Sequence, residues 1–304
     1  MEKQYVFSAP GRTEIGGNHT DHQHGCVLAA AVDLETVATV WVDDSTLIQI
    51  DSEGYPVIAV DLNELDVRED EKNTTASLIR GIANAFVQRG AKLSGFRAKV
   101  KSTVLPGSGL SSSAAFEVLI GTILNELFFE KKLSAIEIAQ IGQYAENVYF
   151  GKPCGLMDQM ASSVGGMVYI DFEDPEKPKV QKLEADLETF GYGLCIIDTG
   201  ADHADLTDEY AAIPGELAQL CQFFGKKYLR EIPKAEFVQK IPELRGKVTD
   251  RAILRAFHIY QENDRVRQQV EALRWDDIDA FLDLVKESGR SSWMYLQNIT
   301  PAGA

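Results

Sequence analysis

Cysteine is scarce in this chain. Its 304 residues hold four, Cys26, Cys154, Cys195 and Cys221, far apart and without a CxxC pair. That argues against a zinc cage or a disulfide framework and for reduced, cytosolic thiols. Positive charge is short as well: 30 lysines and arginines face 46 aspartates and glutamates, for a net charge of −16. Such a field repels nucleic-acid backbones and anionic membrane surfaces, so neither is an expected partner. An anionic small molecule would need local backbone donors, side-chain cations or a metal to hold it. No apolar run approaches the length of a membrane span, and the opening MEKQYVFSAPGR lacks the pattern of a secretion signal. Repeats and low-complexity tracts are missing too. What is plentiful is core material: 45% of residues are hydrophobic and 25% charged, which suits a cytoplasmic protein of one large domain or two ordinary ones.

Periodicity divides the chain. Thr36 to Val42, Tyr55 to Leu62 and the alternating Phe96 to Val104 read as strands, with a helix near Thr75 to Gln88 between them. A second helix runs from Ser111 to about Phe129. Ser134 and Glu137 form a capping box that opens a third, with Ile138, Ile141, Ala145 and Val148 on its expected buried face. Met167 to Asp171 is a short strand. The polar, proline-bearing stretch Glu173 to Lys182 predicts a boundary between a first domain, 1–174, and a second, 175–304. Beyond it, Gly193 to Asp198 reads as a buried strand, and helices are expected near Gly215 to Leu229, Thr249 to Glu262 and Asp276 to Lys286.

Three segments can carry chemistry. In Leu105 to Ala115, LPGSGLSSSAA, a strand runs into two glycines and then into three serines that open a helix. Glycines allow close backbone approach, and the unpaired N–H groups of a helix start form a seat for phosphate. The plainer reading is a tight turn with a serine N-cap, and without a lysine after the glycines it is no Walker A loop. The second segment, APGRTEIGGNHTDHQHG from Ala9 to Gly25, gathers Arg12, Glu14, Asn18, His19, Asp21, His22 and His24 around four glycines. Convergent polar groups on such a loop suit a hydroxyl-rich ligand such as a sugar; a metal site or a merely turn-capping loop are the rivals. The third is GKPCGLMDQM, Gly151 to Met160, where Leu156, Met157 and Met160 surround Asp158. A carboxylate in apolar surroundings calls for a partner such as arginine.

Taken in this order, the segments resemble the galactokinase branch of the GHMP kinases. GRTEIGGNHTDH is similar to the sugar signature, LPGSGLSSSAAFE to the phosphate loop, and AENVYFGKPCGLMDQ to the stretch bearing the catalytic aspartate. The resemblance implies an α+β protein of two lobes, a GHMP-type β/α lobe followed by a ferredoxin-like one. It implies an ATP- and Mg2+-dependent sugar 1-kinase, with galactose the first expectation and a small-molecule sugar and ATP as its partners. Asp158 would be the base and Arg12 its neighbour. Asn18, His19, Asp21, Gly155 and Tyr210 would hold the sugar. Gly107, Ser108, Gly109, Leu110, Ser111, Ser112 and Ser113 would cradle the ATP phosphates, with Ser113 and Glu146 on magnesium.

Some positions depart from that pattern. The family's glutamate toward the sugar C6 hydroxyl is Asn18 here, and its Asp-Tyr pair is Asp21-His22, similar to plant galacturonate kinases. A galacturonate kinase, another hexose kinase and, in a different class, a catalytically silent sugar and ATP sensor are the alternatives; Arg12, Asp158 and Glu146 favour an enzyme. The family's aromatics near adenine have no counterpart in Thr75 to Leu78, and its third, glycine-rich motif has none before Ala304. The expectation is therefore a chain whose second lobe is incomplete and whose own kinase activity is low.

Overall fold

The computed structural model describes residues 3–105, 107–197 and 207–300, with Thr207 and Asp208 described by their backbone alone. The chain forms two compact units, and these interleave along the sequence. The first comprises Met1–Thr13 with Ala30–Gly166, the second Glu14–Ala29 with Met167–Ala304.

Unit 1 is a twisted sheet with helices on one face. Its strands are β1 (Gln4–Gly16) and β2 (Cys26–Val42), both of which run across the division, then β3 (Leu47–Ser52), β4 (Ile58–Asp61) and β5 (Phe96–Ser102). The order is β4-β3-β5-β2, with β1 also paired to β2. β2 and β5 are antiparallel, placing Ala38 opposite Val100 and Val40 opposite Ala98; β3 and β5 are parallel, with Ile48 opposite Phe96. The period-2 pattern therefore puts Ala38, Val40, Ile48, Ile50, Phe96 and Ala98 on one face. Against it pack α1 (Thr75–Gln88), α2 (Ser112–Phe128) and α3 (Ala135–Tyr144) through Ile79, Ile82, Phe86, Leu119, Ile120 and Ile123. α4 (Met157–Val164) completes the unit.

α1 spans the residues its periodicity predicts, and both bonds of the Ser134–Glu137 capping box are formed at α3. Val148 does not point inward. The helix widens into a π-type turn over Ala145–Phe150. The extra residue moves the buried position by one, so Tyr149 is buried and Val148 is 41% exposed. Such a widened turn often marks a functional position, and it carries Glu146.

Unit 2 takes the start of β2, a hairpin of β6 (Met167–Asp171) and β7 (Lys179–Leu183), and, among its described residues, four α-helices. The stretch Glu173 to Lys182, expected to mark a domain boundary, holds the hairpin connection and most of β7. β6 and β7 form an antiparallel ladder, with Tyr169 opposite Gln181. The helices α5 (Thr207–Phe223), α6 (Lys234–Leu244) and α7 (Asp250–Arg274) enclose a core of Ile213, Leu217, Phe237, Ile253, Ala256 and Ile259, and α8 (Ile278–Ser291) packs on α7. The buried strand expected at Gly193 to Asp198 is not found: residues 193–197 are irregular and exposed, with Ile197 83% exposed, and Asp198 lies outside the described residues. A β pattern needs a neighbour to pair with, and 193–197 belong to no strand. No helix among the described residues is long and apolar enough to cross a membrane.

Candidate active site

In unit 1 the glycine–serine loop brings β5 to α2. Gly107 and Gly109 both take left-handed backbone angles, φ 76°, and a Cβ on either would meet nothing within 4 Å. The loop therefore needs glycine for its turn and leaves open space beside its backbone. Ser111, the residue before α2, is also left-handed, φ 58°. That conformation costs a non-glycine residue on the order of 1–3 kcal/mol and is found where other contacts impose it. The contact here is the Ser111 hydroxyl donating to Asp158 Oδ2 at 2.7 Å. The Ser111 hydroxyl makes no capping bond to α2. The positive end of a 17-residue helix is left for an anion.

Asp158 lies in the first turn of α4. Arg12 on β1 meets it as a fork, Nε donating to Oδ1 and Nη2 to Oδ2, both at 2.7 Å. The third guanidinium nitrogen, Nη1, donates to the Gly109 carbonyl at 2.6 Å, and the Arg12 N–H donates to the Leu110 carbonyl at 3.0 Å. One arginine thus ties the loop to the carboxylate with charge-assisted bonds of fixed direction. The close approach requires Gly11, where a Cβ would lie 3.0 Å from Val104 and 3.1 Å from the Leu110 oxygen. Ser108 turns back on its own loop, its hydroxyl donating to the Leu105 carbonyl at 2.6 Å, so it shapes the cradle. Leu110 is buried, while Ser112 and Ser113 are half-buried in the first turn of α2.

Behind Asp158 sits a buried carboxylate pair. Gln159 Nε2 donates to Glu117 Oε2 and to Glu146 Oε2, each at 2.9 Å. The outward oxygen of Glu146, Oε1, is met by the Lys152 ammonium at 3.4 Å. Burial, and then the neighbouring Glu146, push the Glu117 carboxyl up to about 8. Gly155 is exposed, so its backbone is accessible.

In unit 2 the remaining sugar-signature residues lie against α7. Gly17 N–H donates to Glu262 Oε1 at 3.1 Å, and Ser288 Oγ donates to the same oxygen at 2.6 Å. Arg265 pairs with Glu262 Oε2. His258 Nε2 donates to the Asn18 carbonyl at 2.9 Å, so its Nδ1 accepts from Ser291 Oγ at 2.8 Å. The Asn18 side chain is engaged as well, Nδ2 donating to Ser292 Oγ at 2.8 Å. The Cys26 N–H is held by Asn263 Oδ1 at 2.7 Å. His19 stacks obliquely on Tyr210, ring centroids 4.9 Å apart. Burial, then His22, lower the His19 imidazole to about 3, which keeps it neutral. Asp21 is half-buried at the start of a short helical turn, Asp21–Gln23.

The structure thus joins Arg12, Gly109, Leu110, Ser111 and Asp158 in one constellation, attaches Glu146 to it through Gln159, and pairs His19 with Tyr210. Glu117, Gln159, His258, Glu262 and Ser292 belong to these networks and escape a reading by motif. A signal for two of them exists: Arg255, His258, Glu262, Arg265 and Gln269 recur every three or four residues, so they share one face of α7. That face is buried although polar.

Residues 77–166 match the family described as GHMP kinases N terminal domain, and residues 1–41 the galactokinase galactose-binding signature. A galactokinase of Glaesserella parasuis is 33% identical over 294 residues, covering 94% of this chain and 73% of that protein. One from Thermotoga neapolitana is 32% identical, with 93% and 76% covered. Among solved structures, Lactococcus lactis galactokinase complexed with galactose superposes with a TM-score of 0.77 at 24% identity, over 97% of this chain and 76% of that one.

Proposed function

This chain belongs to the galactokinase family, and on that premise we propose that it transfers the γ-phosphoryl group of ATP to the anomeric hydroxyl of galactose. The observation that carries the assignment is the Arg12–Asp158–Ser111 constellation beside an α2 N-terminus that the Ser111 side chain leaves uncapped. The ATP phosphates lie along Gly107–Ser113, against the N–H groups of the first turn of α2. Asp158 accepts the proton of the sugar O1–H as the O1–phosphorus bond forms and the bond to the β-phosphate oxygen breaks, releasing ADP. Arg12, fixed between Asp158 and Gly109, offsets charge beside the transferring group. Positioning and electrostatics carry most of the acceleration in phosphoryl transfer. His19, Asp21, Tyr210, Asn18 and the Gly155 backbone hold the sugar hydroxyls. We place the reaction in the cytoplasm, where ATP and reduced thiols coexist.

A divalent cation belongs to this chemistry, and the residues fit one. Glu146 offers a hard carboxylate oxygen that already faces a cation, the Lys152 ammonium, and Ser113 offers a hydroxyl in the first turn of α2. Among the described residues no three or more His, Cys, Asp and Glu side chains form a metal cage. Mg2+ does not require one, since it is commonly held by one or two carboxylates, waters and substrate phosphates. Bound by Ser113 and Glu146, it would offset the negative charge of the phosphates.

Asn18 supports galacturonate as a second reading, because a neutral amide repels a C6 carboxylate less than the family glutamate would. The deciding experiment measures ADP release with galactose, galacturonate, glucose and N-acetylgalactosamine. Galactose-dependent release is expected. ATP binding without release for any of these sugars would overturn the kinase assignment in favour of a sensor.

A further inference from the structure

The polar residues His19, His22 and Gln23 form a chain of hydrogen bonds that ends on a backbone group, and its direction can be read. Leu229 N–H donates to Gln23 Oε1 at 3.0 Å, and the Cys221 thiol faces the same oxygen at 3.9 Å. A backbone N–H is only ever a donor, so the Gln23 amide has one orientation. Its Nε2 therefore points the other way, toward His22 Nδ1 at 3.3 Å. An amide nitrogen is only a donor, so in this contact His22 Nδ1 accepts, in competition with the His22 carbonyl that the ring also faces. His22 is neutral, because burial lowers its imidazole; its proton is then on Nε2. That nitrogen lies 3.2 Å from His19 Nδ1 and donates to it. His19 is neutral as well, so its proton is on Nε2.

We propose that Gln23 is a positioning residue that fixes the tautomers of His22 and His19, so that His19 presents Nε2–H as a donor to a sugar hydroxyl oxygen. The inference rests on the reading of His19 as a sugar contact. Its physical content is that a neutral imidazole free to choose its tautomer would present an acceptor part of the time. The sequence of donors from Leu229 removes that choice before substrate arrives, which is the preorganisation that binding sites gain most from. Gln23 is buried and is itself not assigned to the ligand. Burial suits this role, since water would otherwise supply competing donors and acceptors to both rings.

The test is imidazole nitrogen NMR of the histidine-labelled chain, which contains five histidines, read with and without galactose and alongside steady-state kinetics. The parent protein should show His19 and His22 as Nε2–H tautomers. In Gln23→Met the terminal donor is gone, and His19 should become a mixture of both tautomers. The KM for galactose should rise by the reciprocal of the remaining Nε2–H fraction, about twofold for an even mixture, with kcat changed much less. His22→Phe interrupts the chain one step later and should give the same His19 spectrum, so the idea does not depend on one buried variant folding. A parent His19 protonated on Nδ1, or a pure Nε2–H His19 in either folded variant, would overturn the proposal. A tautomer mixture with an unchanged galactose KM would confirm the relay and instead overturn His19 as a sugar contact. A parent without galactose turnover but with the stated tautomers would leave the relay standing and overturn the kinase reading.

Discussion

At the scale of single residues, Asp158 is held more tightly than a surface carboxylate needs to be. Two bonds from Arg12 and one from Ser111 converge on its two oxygens, and only Oδ2 accepts twice. Oδ1 retains acceptor capacity for an incoming hydroxyl. Asp158→Asn keeps the shape and loses the base, so kcat should fall by about 10²–10⁴-fold. ATP affinity, measured by calorimetry, should stay within a few-fold; a variant retaining half the parental kcat would show that the base is elsewhere. Asn18 poses a question of specificity. Its amide donates to Ser292, and a glutamate there would accept from that hydroxyl instead, so Asn18→Glu leaves the local bond intact. The added carboxylate would accept from a C6 hydroxyl and repel a C6 carboxylate. A charged hydrogen bond is worth roughly 1.5–3 kcal/mol, so the galactose-to-galacturonate ratio of kcat/KM should rise at least about tenfold. An unmoved ratio would place Asn18 away from C6.

At the scale of elements, the sugar-signature loop is held mainly by α7, one long helix whose buried face is polar. Gly25 makes the fit possible: a Cβ there would lie 2.4 Å from Asn263 Oδ1, 2.6 Å from Thr20 Cβ and 2.8 Å from the Thr20 carbonyl. The Thr20 backbone cannot swing aside as a long side chain would. Gly25→Ala should therefore destabilise the protein by about 1–3 kcal/mol, the usual cost of overpacking. It should also displace Asn263 from the Cys26 N–H, raising the KM for the sugar while ATP affinity holds. Urea unfolding and the two binding constants check this, and a variant with parental stability would mean the loop and helix yield more easily than their contacts imply.

At the scale of the whole molecule, pH divides the titrating groups into opposing sets. His19 is lowered to about 3 in the folded protein from 6.5. Between those values the unfolded chain binds a proton that the folded one refuses, so stability rises with pH across this window and falls on acidification. At pH 5 the cost is about 2 kcal/mol relative to pH above 7. Burial lowers His22 and His258 as well, which adds in the same direction. Glu117, pushed up to about 8, acts oppositely: the folded state binds its proton more readily, and stability declines as pH rises from 4.5 toward 8. The net curve therefore mixes both. The informative measurement is the difference between the parent and His19→Asn in urea, at pH 7.5 and at pH 5. The variant should lose about 2 kcal/mol less than the parent on acidification; equal losses would mean that His19 titrates normally.

Local pattern alone determined much of this protein. The limits of α1, the strand Met167–Asp171, the Ser134–Glu137 box and the three motif-bearing segments depend on residues within four positions of one another, so they are written in the sequence. Pairing between distant residues is not. Ser111 is well placed to cap α2, yet its hydroxyl donates to Asp158, 47 positions away, and its backbone is left-handed rather than in the extended conformation of a capping residue. Gln23 finds Leu229 at a separation of 206 positions, and Glu262 finds Gly17 at 245. Tertiary structure also decided that Tyr149 replaces Val148 in the core, since one inserted residue per turn is invisible to a count by threes and fours. It left 193–197 outside any strand despite their apolar pattern, because side chains can mark a strand but only a neighbouring backbone can complete one.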